Sequence, residues 1–220
     1  CLNNLVQFYG ISFDRQPWLM ITEFMSGGTV FDLLHGENPV LLRWKQRLRM
    51  CSDIASAMDY LHKFNPQIIH RDLKSLNLLL SQAIASSRDV PAVKVSDFGL
   101  AKMKEDRDDW GMMTAAVGSF HWMAPEVMSG KYDEKADVFS FAMVLFEVIC
   151  YEIPFQELNP SEVSEAVCCG ARPRLDPVPK DCPEALMKLM INCWTQDPER
   201  RPSFTQIRTA LNTISFSMLG

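Results

Sequence analysis

The 220 residues include 47% apolar side chains, enough to bury a substantial core, and carry a formal net charge of −5, which gives no general surface for polyanions and no nucleic acid as partner. Seven cysteines are present without a C-x-x-C pair or a His/Cys cluster at zinc spacing, and the odd count with Cys168 beside Cys169 argues for reduced thiols and a cytoplasmic, intracellular protein. The most apolar stretch, Val138 to Tyr151, contains Glu147 and is shorter than the ~20 residues that span a bilayer, so it reads as a buried helix and no membrane segment is expected in the chain.

Along the chain, "LVQFYGIS" and "PWLMITEF" are rich in β-branched and aromatic residues and flank the polar "FDRQ"; they predict two paired strands. "MSGGTVFDLL" predicts a Gly-Gly break followed by a short helix. Between Arg43 and Lys63, apolar residues at Trp44, Leu48, Cys51, Ile54, Ala55, Met58 and Leu61 step by three and four, which marks a helix with one buried face. "SQAIASSRDVPA" is a polar loop, and "VKVSDFG" alternates like a strand that ends in a turn. From Leu100 to Pro125 no period is sustained; this is a long loop of the kind that carries function in compact domains. Beyond it the pattern is helical, with "PEALMKLMINCW" starting at Pro183 and a capping box formed by Ser203 and Gln206. Strands precede helices without βαβ repetition, which makes the fold class α+β.

The segment "IIHRDLKSLNLLL" sets five costly polar side chains between two apolar runs, and isolated buried charge is unfavourable unless paired. It is either a surface turn or a site. Three further motifs follow in order: "DFG" from Asp97, "APE" from Ala124 and "CWTQDPERRP" from Cys193. With these four motifs the sequence resembles the protein kinase family over nearly its whole length. "GSFHWMAPE" and the tryptophans Trp122 and Trp194 are similar to the tyrosine-kinase-like group, which includes mixed-lineage and Raf-like serine/threonine kinases.

The resemblance implies a protein-kinase-like fold, with residues 1–24 as a partial small lobe (its fourth and fifth strands) and residues 25–220 as hinge and mostly helical large lobe. It implies ATP and Mg²⁺ as cofactors and protein substrates as partners. Asp72 matches the catalytic aspartate that takes the substrate hydroxyl proton; Lys74 matches a lysine on the transferring phosphate that goes with serine/threonine specificity. Asn77 and Asp97 match the metal ligands, oxygen donors that suit a hard cation. "ITEFM" matches the hinge: Thr22 guards the back pocket, the backbones of Glu23 and Met25 pair with adenine, Leu79 floors it and Thr29 lies near the ribose. His70, Phe98 and Phe8 match a packed spine, and Asp137 matches a scaffold residue under the catalytic-loop backbone; from position alone, Asp137 also reads as an N-cap. Glu126 and Arg201 match an ion pair. Arg71 goes with control by loop phosphorylation, for which Thr114 is the candidate, while Ser119 is the rival site and by resemblance helps hold the catalytic loop.

The sequence departs from the family pattern in Ser119 for threonine and Ala142 for glycine. No Gly-rich phosphate loop, no V-A-I-K lysine and no helix with its glutamate partner occur among the 220 residues. "NNLVQFYG" matches the fourth small-lobe strand, so the expectation is an N-terminally truncated kinase domain, inactive alone. The other reading is a catalytically dead scaffold that binds partners; an intact Asp72, Asn77 and Asp97 set disfavours it. A small-molecule kinase of related fold fits poorly, because "APE", Trp194 and Arg201 belong to the protein-kinase large lobe.

Overall fold

The computed structural model describes residues 2–14, 16–37, 39–97, 102–103, 119–128, 130 and 132–217. Strands β1 (Phe8–Ser12) and β2 (Leu19–Thr22) pair antiparallel, with an irregularity between Phe8 and Gly10. The segment after β2 leads to α1 (Val30–His35), which Thr29 caps through a reciprocal box with Asp32. Gly27 sits where a Cβ would come within 2.6 Å of Leu80, so only glycine lets this segment lie against the later strand.

Helix α2 (Trp44–Lys63) buries the periodic residues on one face and ends at the catalytic-motif region. Strand β3 (Ile68–Ile69) opens that region, and β4 (Leu78–Leu80) follows it, paired antiparallel with β5 (Val93–Val95). Strand β6 (Lys102–Met103) returns to pair with β3, an extended element inside the stretch read from sequence as loop. Beyond lie α3 (Pro125–Met128), α4 (Glu134–Cys150), α5 (Pro160–Cys168), α6 (Glu184–Cys193) and α7 (Phe204–Ser217).

Helix α4 is the axis of the core. Every residue from Ala136 to Ile149 is buried, which explains why its sequence is apolar all round rather than amphipathic. Helix α7 packs on α2 and α4: Phe204 meets the Phe141 ring edge-on at 5.5 Å and the His62 ring at 5.0 Å. The capping box before α7 forms, with Ser203 N donating to Gln206 Oε1 at 2.7 Å.

The N-cap of α4 is Asp133, whose side chain accepts from Lys135 N; Asp137 lies inside the first turn and does not cap the helix. The capping alternative for Asp137 is thereby corrected. Its carboxylate points sideways into the core, at partners on other elements.

Candidate active site

The sequence folds the "HRDLKSLN" stretch as a loop because its backbone hydrogen bonds are met by a side chain from beneath. Asp137, fully buried, accepts from His70 N and Arg71 N, both at 2.9 Å, and from His62 Nε2 at 2.8 Å. Burial pushes the Asp137 carboxyl up, but the His62 hydrogen bond, the His62 and His70 rings and the His70 amide outweigh it and hold the group below its ordinary value. Arg71 then adopts φ 72°, a left-handed conformation a bulky residue takes only when its surroundings fix it. His70 is fully buried and its Nε2 lies 2.9 Å from Ser96 O, tying this loop to the end of β5.

Three of the other candidate site residues meet at Asp72. Lys74 Nζ is 2.8 Å from Asp72 Oδ2, and Asn77 Nδ2 donates to the same oxygen at 2.9 Å and to the Asp72 carbonyl at 2.8 Å. Ser119 Oγ donates to Asp72 Oδ1 at 3.0 Å and accepts from Lys74 Nζ at 2.8 Å. The carboxylate is therefore oriented on both oxygens, beside one ammonium, in a nearly dry setting. Such a group is built to take a proton in a fixed direction.

Asn77 and Asp97 are brought to the same end of the β4–β5 pair. Ser96 donates to Asn77 O through both N and Oγ at 2.9 Å, and Asp97, exposed, follows with φ 60°. Because Asn77 Nδ2 is held by Asp72, its amide oxygen is the atom turned to other partners. An amide oxygen and a carboxylate fit a hard divalent cation that completes its shell with water and phosphate. Among the described residues no group of three or more His, Cys, Asp or Glu is placed to hold a metal ion.

In the segment expected to be the hinge, Glu23 N donates to Gln7 O at 2.9 Å, and the Glu23 carboxylate takes Lys94 Nζ at 2.7 and 2.9 Å and Gln7 N at 2.7 Å. The Lys94 hydrogen bond keeps that carboxyl below its usual range. Thr22 is exposed with its hydroxyl 3.3 Å from Glu23 O, whereas Met25, Thr29 and Leu79 are half-buried. Thr29 and Leu79 face each other in an isolated bridge, which sets the turn before α1 against β4. Phe8, on β1, is 48% exposed. Phe98 and Thr114 lie outside the described residues.

Glu126 and Arg201 form a two-pronged pair, at 2.5 Å through Nη1 and 2.9 Å through Nη2. Arg201, 1% exposed, also donates to the carbonyls of Thr195, Lys135 and Gln196, so its fork is fully used.

Sequence reasoning missed Glu147 as a hub. Fully buried in α4, it accepts from Ser75 Oγ at 2.6 Å and Trp122 Nε1 at 2.6 Å, and lies 3.1 Å from His35 Nε2. It thus joins α1, the HRDLKSLN loop and the segment before α3. The available signal was a lone acid in the apolar run Val138 to Tyr151. Lys94 and His62 were missed as well.

The chain matches a family model described as protein tyrosine and serine/threonine kinase over residues 2–211. It is 39% identical over 213 residues to Serine/threonine-protein kinase STY17 of Arabidopsis thaliana, covering 96% of this chain and 35% of that protein. It is 40% identical over 214 residues to Serine/threonine-protein kinase VIK of the same plant, covering 96% of this chain and 47% of that protein. A Putative serine/threonine-protein kinase/receptor R818 of Acanthamoeba polyphaga mimivirus is 36% identical over 218 residues, 99% of this chain and 12% of that protein. The chain therefore spans less than half the length of these relatives. With the loop held on Asp137, the polar cluster on Asp72 and the Glu126–Arg201 pair, these matches place it: the chain belongs to the protein tyrosine and serine/threonine kinase family.

Proposed function

We propose that these residues form the large lobe and hinge of a protein kinase that transfers the γ-phosphoryl group of ATP to serine or threonine hydroxyls of proteins. The observation that carries this reading is the Lys74–Asp72–Ser119–Asn77 cluster. Asp72 orients the substrate hydroxyl and takes its proton while the oxygen bonds to the γ-phosphorus and the bond to the β,γ-bridging oxygen breaks, releasing ADP. Lys74 places positive charge where the equatorial oxygens gather charge, a preorganised contribution that needs no rearrangement. Asn77 and Asp97 would hold Mg²⁺, which, when bound, neutralises charge on the triphosphate. The hinge backbone at Glu23 and Met25 would pair with adenine above Leu79, with Thr22 at the back of the slot and Thr29 near the ribose.

Neither a Gly-rich phosphate loop nor a V-A-I-K lysine is among the 220 residues. The same reading holds that the 220-residue chain by itself binds ATP weakly and does not turn over, and that residues 1–24 are part of a small lobe whose remaining strands complete the site. The described cysteines are all free thiols, which supports an intracellular setting, and no helix among the described residues is long and apolar enough to cross a membrane. Control is assigned to Thr114, which lies outside the described residues; Arg71 Nε is buried without a hydrogen-bond partner among the described residues and would be available to a phosphate, whereas phosphorylation of Ser119 would break its bond to Asp72 and inhibit.

The deciding test is a kinase domain extended upstream with the Gly-rich loop and strand lysine. It should phosphorylate serine peptides with Mg²⁺, and Asp97→Ala should abolish the activity. Full activity in Asp97→Ala would remove the metal assignment, and submicromolar ATP binding by the 220-residue chain in calorimetry would remove the claim that it needs the upstream elements.

A further inference from the structure

The start of α2 and the loop between β4 and β5 enclose a groove of about 460 Å³, lined by Arg43, Lys45, Arg49, Arg88, Asp89 and Val90 among others. That volume lies within the ~300–1,000 Å³ of ordinary ligand clefts. Its two walls are fastened together. Gln46, buried on the first turn of α2, donates Nε2 to Ser86 O at 3.1 Å and to Asp89 O at 2.8 Å, and its Oε1 takes Arg43 N at 2.9 Å. The loop is stiffened in turn by Asp89 Oδ2, which accepts from Ala85 N at 2.9 Å and Ser86 N at 2.8 Å. The groove is therefore a standing feature of the fold rather than a gap between mobile parts.

Its charge is unbalanced. Arg49 is paired with Asp53 at 3.0 Å, but Arg43, Lys45 and Arg88 make no ion pair among the described residues, and the lining carboxylate, Asp89, is engaged by turn amides. In a chain of net charge −5 this is a local excess of cations. Beside them Val90 is 76% exposed and Pro91 lines the same wall. Among the described residues no aromatic side chain lines the groove, so they offer no stacking platform of the kind that single-stranded nucleic acids use.

We propose that this groove docks an acidic segment of a partner protein, in which Asp or Glu side chains meet Arg43, Lys45 and Arg88 and an interleaved apolar residue covers Val90 and Pro91. Charge complementarity supplies specificity and fast encounter; the apolar contact supplies residence. The location suits a substrate. Helix α2 has 20 residues, hence a length of about 30 Å at ~1.5 Å per residue, and the catalytic loop follows its far end. An extended chain of about nine residues, at ~3.3 Å each, covers that span. A substrate could thus sit on the groove with its phosphoacceptor at Asp72; this last point rests on the proposed phosphoryl transfer, whereas the docking does not.

The test is fluorescence anisotropy with the 220-residue chain and a fluorescein-labelled peptide alternating Glu with Leu. Binding should weaken about ten-fold or more, a change equivalent to ~1.4 kcal/mol, in Arg43→Glu/Arg88→Glu. It should also weaken with added salt and be lost when Gln replaces Glu in the peptide. Asp72→Asn should bind as the parent does. Should the charge-reversed variant fail to fold by circular dichroism, Arg43→Ala/Arg88→Ala must still show the loss. Equal binding of Glu and Gln peptides, binding indifferent to both double variants, or displacement of the peptide by a single-stranded RNA oligonucleotide at lower concentration than by unlabelled peptide would overturn the proposal. None of these readouts requires phosphoryl transfer, so an upstream-extended kinase domain that binds the peptide but phosphorylates no serine peptide would sink the catalytic reading and leave the docking site standing.

Discussion

Asp72 is held by Lys74, Asn77 and Ser119 on its two oxygens, and substitution separates what each contributes. In the extended kinase domain, Asp72→Asn should lower kcat by ~10²–10⁴, the range of a positioned general base, while KM for ATP changes little, because the carboxylate is not placed to bind nucleotide. Ser119→Ala removes one hydrogen bond on each side and should cost about ten-fold in kcat, with Ser119→Thr restoring most of it, since a net hydrogen bond to a charged group is worth ~1.5–3 kcal/mol. Steady-state assays with a serine peptide measure both; an unchanged kcat in Asp72→Asn would end the general-base assignment. The motifs marked Asp72, Lys74 and Asn77 as a group because they stand within a few residues of one another, and Asp97 through the separate DFG that follows. Glu147, His62 and Lys94 were illegible for the opposite reason: their partners Ser75, Asp137 and Glu23 lie 72, 75 and 71 positions away, and nothing local marks the pairing.

At the scale of elements, the helices were readable wherever one face is apolar and the other is not, as in α2, or where the run is apolar all round, as in α4. The N-cap of α4 was misplaced because two aspartates precede the apolar run and only packing decides that Asp133 caps while Asp137 turns inward. Strand β6 was hidden because two residues set no period. The inward turn of Asp137 has a measurable consequence. Its carboxyl is depressed in the folded state, so its stabilising contribution is present above the unfolded value of ~3.9 and is lost as pH falls through the folded value. Acid melting should therefore steepen below about pH 4. Asp137→Asn should flatten that slope while lowering the Tm at neutral pH; a parallel slope in the variant would show that other carboxylates set the acid limit. The Glu126–Arg201 pair links α3 to the segment before α7, and truncating Arg201 removes both prongs on the Glu126 carboxylate and the guanidinium donors to three carbonyls. Arg201→Ala should cost ~3–5 kcal/mol in urea unfolding, and Arg201→Lys should recover only part, because an ammonium cannot serve a planar fork.

Taken whole, the molecule is unevenly covered. Around α4 the core is closed, whereas on β2 three successive residues, Leu19, Met20 and Ile21, are all exposed, so neither face of the β1–β2 pair is packed among the described residues. Tyr9, Trp18 and Phe24 add to this apolar surface, Phe24 at 90% exposure. A lone two-stranded pair is marginal in water, and contiguous exposed apolar surface with open strand edges promotes association. Stability is thus expected to be split along the chain. Hydrogen exchange on the 220-residue chain should show β1 and β2 amides exchanging close to the unprotected rate while α4 amides exchange only through global opening. The same surface should make the chain self-associate in a concentration-dependent way in sedimentation velocity. Trp18→Glu/Met20→Lys, which touches neither the Asp72 cluster nor the hinge pair of Glu23 with Lys94, should return it toward monomer without moving the α4 protection factors. Slow exchange throughout β1 and β2 in a monomeric sample would mean that this pair is stabilised by contacts within the chain, and the expectation of a separable, loosely held hairpin would fail.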